Sequence, residues 1–205
     1  MARFTKRRGL HASKPLVSGV SEMSKTTTTP EILTVYGTYF DFKNPSKSEI
    51  HIVSIAHALS HICRFTGHTR EFYSVAQHCV MVSQIVPPEL ALAGLLHDAA
   101  EAYLGDVSKP LKMILPDYLE IEKIVEKAVF THFKLGNTPY DAEIKRADAQ
   151  MYLTERRDLM PNAPEQLLHG ISPLQERLIP LNSFSARITF LQRFQYLNRL
   201  GTVKL

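Results

Sequence analysis

The chain has 205 residues, 44% of them hydrophobic and 21% charged, a balance typical of a globular domain. This length accommodates one domain with a sizeable core and is short for two. No apolar run approaches the roughly 20 residues of a membrane span, so we expect no membrane partner. The two cysteines, Cys63 and Cys79, exclude a disulfide framework and indicate a reducing, cytoplasmic location.

The net charge of +4 is concentrated in the first 30 residues. Six basic residues and one acid give this segment +5, so the remaining 175 residues sum to −1. We therefore expect a disordered basic tail at 1–30 and a single domain at 31–205 that requires no nucleic acid. A transit peptide, a nucleic-acid tether and a true translation start at Met23 remain open alternatives for the tail.

The predicted elements begin with residues 32–42, whose β-branched and aromatic side chains around Gly37 predict a short strand pair or one bent strand. Helical periodicity then predicts helices at 54–65, 74–85, 89–104, 117–133, 140–158 and 183–200. Ser74 and Asp117 are candidate N-caps, and Gly136 with Asn137 closes the fourth helix. The fold class is all-α with a small β element near the N-terminus.

The third predicted helix contains the segment GLLHDAAE, in which His97 and Asp98 interrupt an otherwise apolar sequence. Ionisable groups in such a helix need a partner, and a metal ion is one of the few adequate partners. Glu101 follows His97 by four residues and Asp98 by three, which predicts the same helix face. Taken alone, the pair fits equally well a core histidine beside a local hydrogen-bonding acid.

Two further residues favour the metal interpretation. His78 lies in the apolar helix 74–85 and Asp148 in the helix 140–158. Two imidazoles and two carboxylates on separate helices predict a site in the core of a bundle. This mixed nitrogen and oxygen set suits Mn, Fe, Co, Ni or Zn better than Ca, and it leaves positions open for water and a phosphate oxygen.

This four-part pattern resembles the signature of the HD superfamily. Residues 55–111 are similar to HD hydrolases of bacteria and phages, which include 5′-deoxynucleotidases and phage deoxynucleoside triphosphohydrolases that act on dATP. The resemblance, which covers about residues 35–160, implies an HD-domain helical bundle. It also implies that His78, His97, Asp98 and Asp148 bind a divalent metal such as Co, Mn, Zn, Ni or Mg, and that a deoxynucleotide is the substrate.

The same resemblance implies catalytic roles for Glu101 and Asp106, which would orient or deprotonate the attacking water or bind a second metal. Arg64 matches the phosphate-binding arginine of the family, and Phe65 follows it as an aromatic that can stack on a base. Lys109 fits a second phosphate contact. Arg64 as a helix-end charge, Asp106 as a turn residue and Lys109 as an ordinary exposed lysine remain alternatives.

Three other histidines lie near the predicted site. His68 follows Arg64 closely enough to line a sugar or base pocket. His57 and His61 are four residues apart on one predicted helix and imitate a zinc pair, but no further ligands accompany them, which favours surface or packing roles.

The expected function is hydrolysis of a dNTP, most simply dATP, to a deoxynucleoside and triphosphate. A dNMP 5′-deoxynucleotidase, a non-catalytic nucleotide-binding module and hydrolysis of an alarmone or cyclic nucleotide are the alternatives. The sequence lacks a phosphate-binding P-loop, a dinucleotide-binding glycine motif, HExxH and GxSxG. The resemblance further implies a homo-oligomer, a dimer or hexamer, in the cytoplasm, or the host cytoplasm if the chain is phage-encoded.

Overall fold

The computed structural model describes residues 29–161 and 170–202, so residues 1–28 of the expected tail lie outside the described residues. Strands β1 (Glu31–Leu33) and β2 (Tyr39–Asp41) pair antiparallel, with Ile32 opposite Phe40. Gly37 lies in the connecting turn at a φ of +87°, where a side chain would be strained. The strand pair predicted from the sequence is therefore confirmed.

Helices account for most of the remaining described chain. They are α1 (Ile52–His61), α2 (Val75–Ile85), α3 (Ala91–Leu96), α4 (Glu101–Leu104), α5 (Lys109–Lys112), α6 (Pro116–His132), α7 (Ala142–Leu159) and α8 (Ser183–Thr202). Helix α2 packs against α1, α3, α7 and α8 and is therefore central. The core around it includes the fully buried Ile55, Leu59, Val75, Val82, Leu95, Leu96, Met151 and Phe190. The all-α class with a small N-terminal β element is confirmed.

The N-terminal ends of the helices follow local sequence signals. The Ser74 hydroxyl accepts a hydrogen bond from the Gln77 N–H at 3.2 Å, which confirms Ser74 as the cap of α2. The prediction that Asp117 caps the fourth long helix is wrong. Helix α6 begins at Pro116, whose fixed φ and missing N–H suit a first helical position, and Asp117 lies within the first turn.

Helix α6 also ends differently from the prediction. The Leu135 N–H donates to the Phe130 carbonyl at 2.8 Å, and the Lys134 N–H donates to the Thr131 carbonyl at 3.1 Å. This pair of bonds satisfies the last carbonyls of a helix when the intervening residue is left-handed, and Lys134 has a φ of +58°. The helix is therefore closed by Lys134, before Gly136 and Asn137 are reached.

Helix α8 covers the core with one of its faces. Phe184 is 64% exposed and Ile188 is 36% exposed, so both lie away from that face. Ala186 and Phe190 are the fully buried residues, because α8 packs against α1, α2 and α3 through that side. One face of the C-terminal helix therefore belongs to the core.

A buried carboxylate, Asp158, joins the end of α7 to the segment before α8. One of its oxygens accepts from Arg157 Nε at 2.7 Å and Arg177 Nη1 at 2.5 Å, and the other accepts from the Leu178 N–H at 2.9 Å. Arg157 Nη2 also donates to this second oxygen, at 2.8 Å. Burial opposes ionisation, but these donors outweigh it and hold the pKa of Asp158 well below its usual range. The ionised group therefore stabilises the folded chain.

We expect Asp158→Asn to lower the free energy of unfolding at neutral pH by roughly 1–3 kcal/mol, because the hydrogen bonds lost are to a charged acceptor. A carboxyl with a depressed folded pKa stabilises the fold above its unfolded pKa of about 4 and loses this effect as the pH falls further. The difference from wild type should therefore shrink below about pH 4. Urea unfolding across this range, with the exposed Asp117→Asn as control, measures it, and a pH-independent difference would contradict it.

Among the described residues, no helix combines the length and the hydropathy that crossing a membrane requires.

Candidate metal centre

Three predicted ligands converge where α2 faces the end of α3. Candidate ligand atoms of His78, His97 and Asp98 all lie within 4.8 Å of one another. His78 Nε2 is 3.7 Å from Asp98 Oδ2, and His97 Nε2 is 3.2 Å from the same oxygen. Asp148, on α7, places Oδ1 3.1 Å from His78 Nε2. The structure therefore groups three of the predicted ligands and places the fourth, Asp148, against His78.

The geometry of these atoms fits a divalent cation. Ligand atoms that share a metal at about 2.1 Å lie about 3.0–3.4 Å apart. The spacings of 3.1 and 3.2 Å fall in this range, and the spacing of 3.7 Å lies above it. Although carboxylate oxygens are near, neither His78 Nε2 nor His97 Nε2 makes a hydrogen bond within the described part of the chain. A buried imidazole nitrogen that lies close to carboxylate oxygens but makes no hydrogen bond is suited to donate its lone pair to a metal.

The charged groups of the cluster support one another. Burial opposes ionisation of Asp98, but His97, His78 and Arg64 hold its pKa well below the usual range. Burial also opposes protonation of His97, yet Asp98 raises the pKa of His97 well above its ordinary value. Protons and a divalent cation compete for these same atoms, so metal binding is expected to release protons.

The imidazoles are oriented by hydrogen bonds on the side away from the cluster. His97 Nδ1 donates to the Gly94 carbonyl at 2.8 Å. His78 Nδ1 donates to Glu155 Oε1 at 2.7 Å. In both rings this places the proton on Nδ1 and leaves Nε2, the atom facing the cluster, free to act as a ligand.

The sequence predicted one continuous helix at 89–104. In the structure this helix is divided at residues 97–100, the segment that carries His97 and Asp98. In this segment the Ala99 N–H donates to the Leu96 carbonyl and the Glu101 N–H donates to the Asp98 carbonyl, both at 3.0 Å. Such i to i+3 bonds are those of a 3₁₀ helix, in which side chains three residues apart are eclipsed. Asp98 and Glu101 are thereby aligned on one side.

Glu101 and Asp106 lie beside the ligands as unusually basic carboxylates. Burial, then Asp98 and Asp106, raises the pKa of Glu101 well above its usual value. Its Oε2 is buried and has no hydrogen-bond partner among the described residues. Burial also raises the pKa of Asp106, and Asp98 adds to this against the opposing effect of Arg64. A carboxylate with a raised pKa is a stronger base toward water than an ordinary carboxylate.

Arg64 supplies a cation at the edge of the cluster. Its Nη1 lies 3.9 Å from Asp98 Oδ2, and its Nη2 donates to Glu155 Oε2 at 2.9 Å. The predicted helix 54–65 ends at His61, and Arg64 instead begins a turn in which the φ values of Phe65 and Thr66 are both +55°. Left-handed backbone at two such residues is costly and is typical of functional sites.

The turn after Arg64 presents an aromatic surface. The Phe65 ring stacks on the Tyr152 ring, with centroids 5.7 Å apart and planes 23° from parallel. Arg64 Cζ lies 5.8 Å from the centroid of the same Phe65 ring. Phe65 therefore lies between Arg64 and Tyr152, and Tyr152 was not identified from the sequence. His68 is exposed, and its described contact is a backbone bond from its N–H to the Phe65 carbonyl.

Two lysines follow Asp106 near the site. Lys109 was the predicted phosphate contact, but the structure favours Lys112 for this role. Lys109 is exposed in the first turn of α5. Lys112 is partly buried and donates to Glu122 at 2.5 Å. Burial opposes its charge, but Glu122 and Glu101 raise the pKa of Lys112 above its ordinary value. Of these two lysines, Lys112 is therefore the one that interacts with a site carboxylate, Glu101.

The histidines of α1 contact each other and α8. The His57 and His61 rings lie 4.3 Å apart, His61 Nδ1 donates to the His57 carbonyl at 2.7 Å, and Arg187 Nη1 lies 3.3 Å from His57 Nδ1. These contacts are consistent with the packing role expected for the pair.

The sequence comparisons identify relatives along most of the chain. Over 173 residues, 82% of this chain and 96% of the relative, the sequence is 42% identical to the uncharacterized protein YfdR of Escherichia coli K12. The chain belongs to the YfdR family. A second relative, the uncharacterized protein RCAP_rcc00048 of Rhodobacter capsulatus, is 35% identical over 121 residues, 54% of this chain and 61% of that protein. No protein-family model matches this member of the YfdR family.

Proposed function

We propose that the chain is a metal-dependent phosphohydrolase of the HD type that acts on small deoxynucleotides, with a dNTP such as dATP as the first candidate. The observation that carries this proposal is the convergence of two imidazole Nε2 atoms and two carboxylates beside an arginine. His78, His97, Asp98 and Asp148 would hold the metal. A bound divalent ion would polarise a phosphoryl oxygen and bring the pKa of a water molecule toward neutrality.

The proposed reaction is attack of water on the phosphorus next to the sugar. The bond between that phosphorus and O5′ breaks, the deoxynucleoside leaves with a proton on O5′, and the phosphate chain leaves as triphosphate. Glu101 or Asp106 accepts the proton of the water and returns one to the leaving oxygen, which their raised pKa values favour. Arg64 and Lys112 offset the negative charge that develops on the phosphates.

The aromatic surface supports a nucleotide as the substrate class. Phe65 and Tyr152 lie beside Arg64, so that a base can stack there while its phosphate reaches the guanidinium. A dNMP is the alternative substrate, and its products would be a deoxynucleoside and phosphate. A module that binds nucleotides without hydrolysing them is the alternative from a different class, and the presence of Glu101 beside all four predicted ligands favours the enzyme.

A panel of deoxynucleoside mono- and triphosphates of all four bases, incubated with the chain and Co²⁺ or Mn²⁺, tests the proposal. Chromatography of the products separates the alternatives, because triphosphate and phosphate identify the two substrate classes. We expect a deoxynucleoside from at least one compound. Binding of nucleotide and metal without turnover of any phosphate compound would instead support the non-catalytic module.

The two lysines provide a sharper prediction about phosphate binding. We expect Lys112→Met to lower kcat/KM by roughly 10–100-fold, the effect of losing one hydrogen bond to a charged group. Lys109→Met, three residues earlier on α5, is the matched control and should leave kcat/KM unchanged because Lys109 is exposed. Steady-state kinetics of both variants measure this. A larger loss of kcat/KM in Lys109→Met than in Lys112→Met would show that Lys109 is the phosphate contact instead.

A further inference from the structure

Glu155 is a buried carboxylate that lies behind the site, on α7. It follows Asp148 by seven residues, two helical turns, which places both on the same face of the helix. Its side chain is fully buried. A carboxylate in such a position destabilises the fold unless both oxygens have charged or hydrogen-bonding partners.

Each oxygen of Glu155 has a partner with a different task in the site. Oε1 accepts from His78 Nδ1 at 2.7 Å. Oε2 accepts from both Nε and Nη2 of Arg64, at 3.2 and 2.9 Å. One carboxylate thus holds a candidate metal ligand with one oxygen and the candidate phosphate-binding cation with the other.

The consequence for His78 is a fixed tautomer. Because Oε1 of an ionised carboxylate only accepts, the proton of the ring stays on Nδ1 and Nε2 keeps its lone pair. Nε2 is the atom that lies 3.1 Å from Asp148 and 3.7 Å from Asp98. The orientation of the ring toward the cluster therefore depends on Glu155.

For Arg64, the contact with Glu155 fixes the orientation of the guanidinium group. With Nε and Nη2 both bound to Oε2, the remaining nitrogen, Nη1, is the one nearest the cluster, 3.9 Å from Asp98 Oδ2. A planar guanidinium held along one edge in this way presents its other edge in a defined plane.

We propose that Glu155 is a positioning residue that couples the metal site to the anion-binding arginine, so that the state of Arg64 alters metal binding through His78. This inference rests on the proposed function for the identity of the metal ligands and goes beyond it in joining two parts of the site through one side chain.

The amide of Gln cannot replace this carboxylate, because it offers one acceptor and one donor to two partners that both donate. In Glu155→Gln the amide oxygen is expected to stay with charged Arg64 and the NH₂ to face His78 Nδ1. His78 would then carry its proton on Nε2, which blocks the metal. We expect Co²⁺ affinity to fall roughly 10–100-fold, as for other residues that orient a metal-binding histidine.

The double variant Arg64→Met/Glu155→Gln separates this coupling from a general structural effect. Without Arg64, the Gln oxygen is free to turn to His78 and restore the tautomer that binds metal. We therefore expect the double variant to bind Co²⁺ more tightly than Glu155→Gln alone, although it carries one more substitution. Glu143→Gln, an exposed carboxylate on the same helix, is the control and should bind Co²⁺ like the wild type.

Calorimetric titration with Co²⁺ alone, together with the visible absorption spectrum of the bound ion and circular dichroism, measures these effects without substrate. Weaker binding in Glu155→Gln and recovery in the double variant would support the coupling. Unchanged affinity and spectrum in Glu155→Gln, or a double variant no tighter than the single one, would overturn it. Loss of fold in Glu155→Gln that persists in the double variant would also overturn it, in favour of a purely structural role. Absence of Co²⁺ binding by the wild type would overturn the metal site itself.

Discussion

Asp98→Ala is expected to weaken Co²⁺ binding by about 10³-fold and to remove phosphohydrolase activity by at least as much, since both depend on preorganised charge at this point. The reason is the central position of Asp98. One oxygen, Oδ2, lies within 3.9 Å of nitrogens of His97, His78 and Arg64. One carboxylate oxygen thus lies close to both imidazoles.

The fold is expected to survive this substitution. Arg64 keeps its ion pair with Glu155 at 2.9 Å, so its buried guanidinium is not left without a partner. Thermal unfolding and circular dichroism check this, and Glu120→Ala, on the exposed side of α6, is the control. Wild-type Co²⁺ affinity in a folded Asp98→Ala protein would contradict the assignment of the ligand.

Glu101→Gln is expected to separate catalysis from metal binding. We expect Co²⁺ affinity to stay within a few-fold of the wild type and kcat to fall roughly 10²–10⁴-fold, the usual contribution of a general acid or base. The amide keeps the size and much of the polarity of the side chain but cannot accept a proton. Glu101 is the buried carboxylate whose Oε2 lacks a hydrogen-bond partner in the described chain.

Asp106→Asn identifies which of the two carboxylates is the base. If Glu101 transfers the proton, Glu101→Gln should lower kcat much more than Asp106→Asn does, and the reverse order would assign the role to Asp106. Steady-state kinetics at saturating substrate, with Glu120→Gln as a control, distinguish these results. If both variants kept the kcat of the wild type, neither carboxylate could be the base.

The sequence predicted those parts of the fold that depend on local signals. Helix α2 could be predicted from the helical spacing of its apolar residues and from Ser74 at its N-terminus. The Ser74 hydroxyl accepts from the Gln77 N–H, three residues later in the chain. His78 could likewise be chosen as an ionisable residue among apolar neighbours, and Asp148 as an acid on a separate predicted helix. The convergence of their atoms, by contrast, depends on how α2, α3 and α7 pack.

The turn at Phe65 and Thr66 could not be predicted, since their left-handed backbone opposes the preference of both residue types. Contacts distant in sequence hold it, among them the bond from the Arg64 N–H to the Tyr73 carbonyl at 2.8 Å. The turn at residues 97–100 was missed for a related reason. Its side chains follow the pattern of an α-helix, and the tighter backbone bonds leave no signal in composition.

Glu155 was overlooked because it belongs to a run of charged residues, ERRD, that is typical of an exposed helix end. The one available signal was its spacing from Asp148 and Met151, which continues the buried side of α7. Lys109 and Lys112, three residues apart, also could not be distinguished from the sequence. Only the packing of α5 and α6 determines which lysine faces the carboxylates.

The most direct measurement is chromatography of the products released from dATP by metal-stripped protein, before and after Co²⁺ or Mn²⁺ is restored. We expect no product from the stripped protein, and deoxyadenosine with triphosphate once the metal is restored. Equal product formation by stripped and restored protein would contradict a metal-dependent reaction at the His78, His97, Asp98 and Asp148 cluster. Failure of the metal-loaded protein to hydrolyse dATP or any other deoxynucleotide would contradict the proposed enzyme.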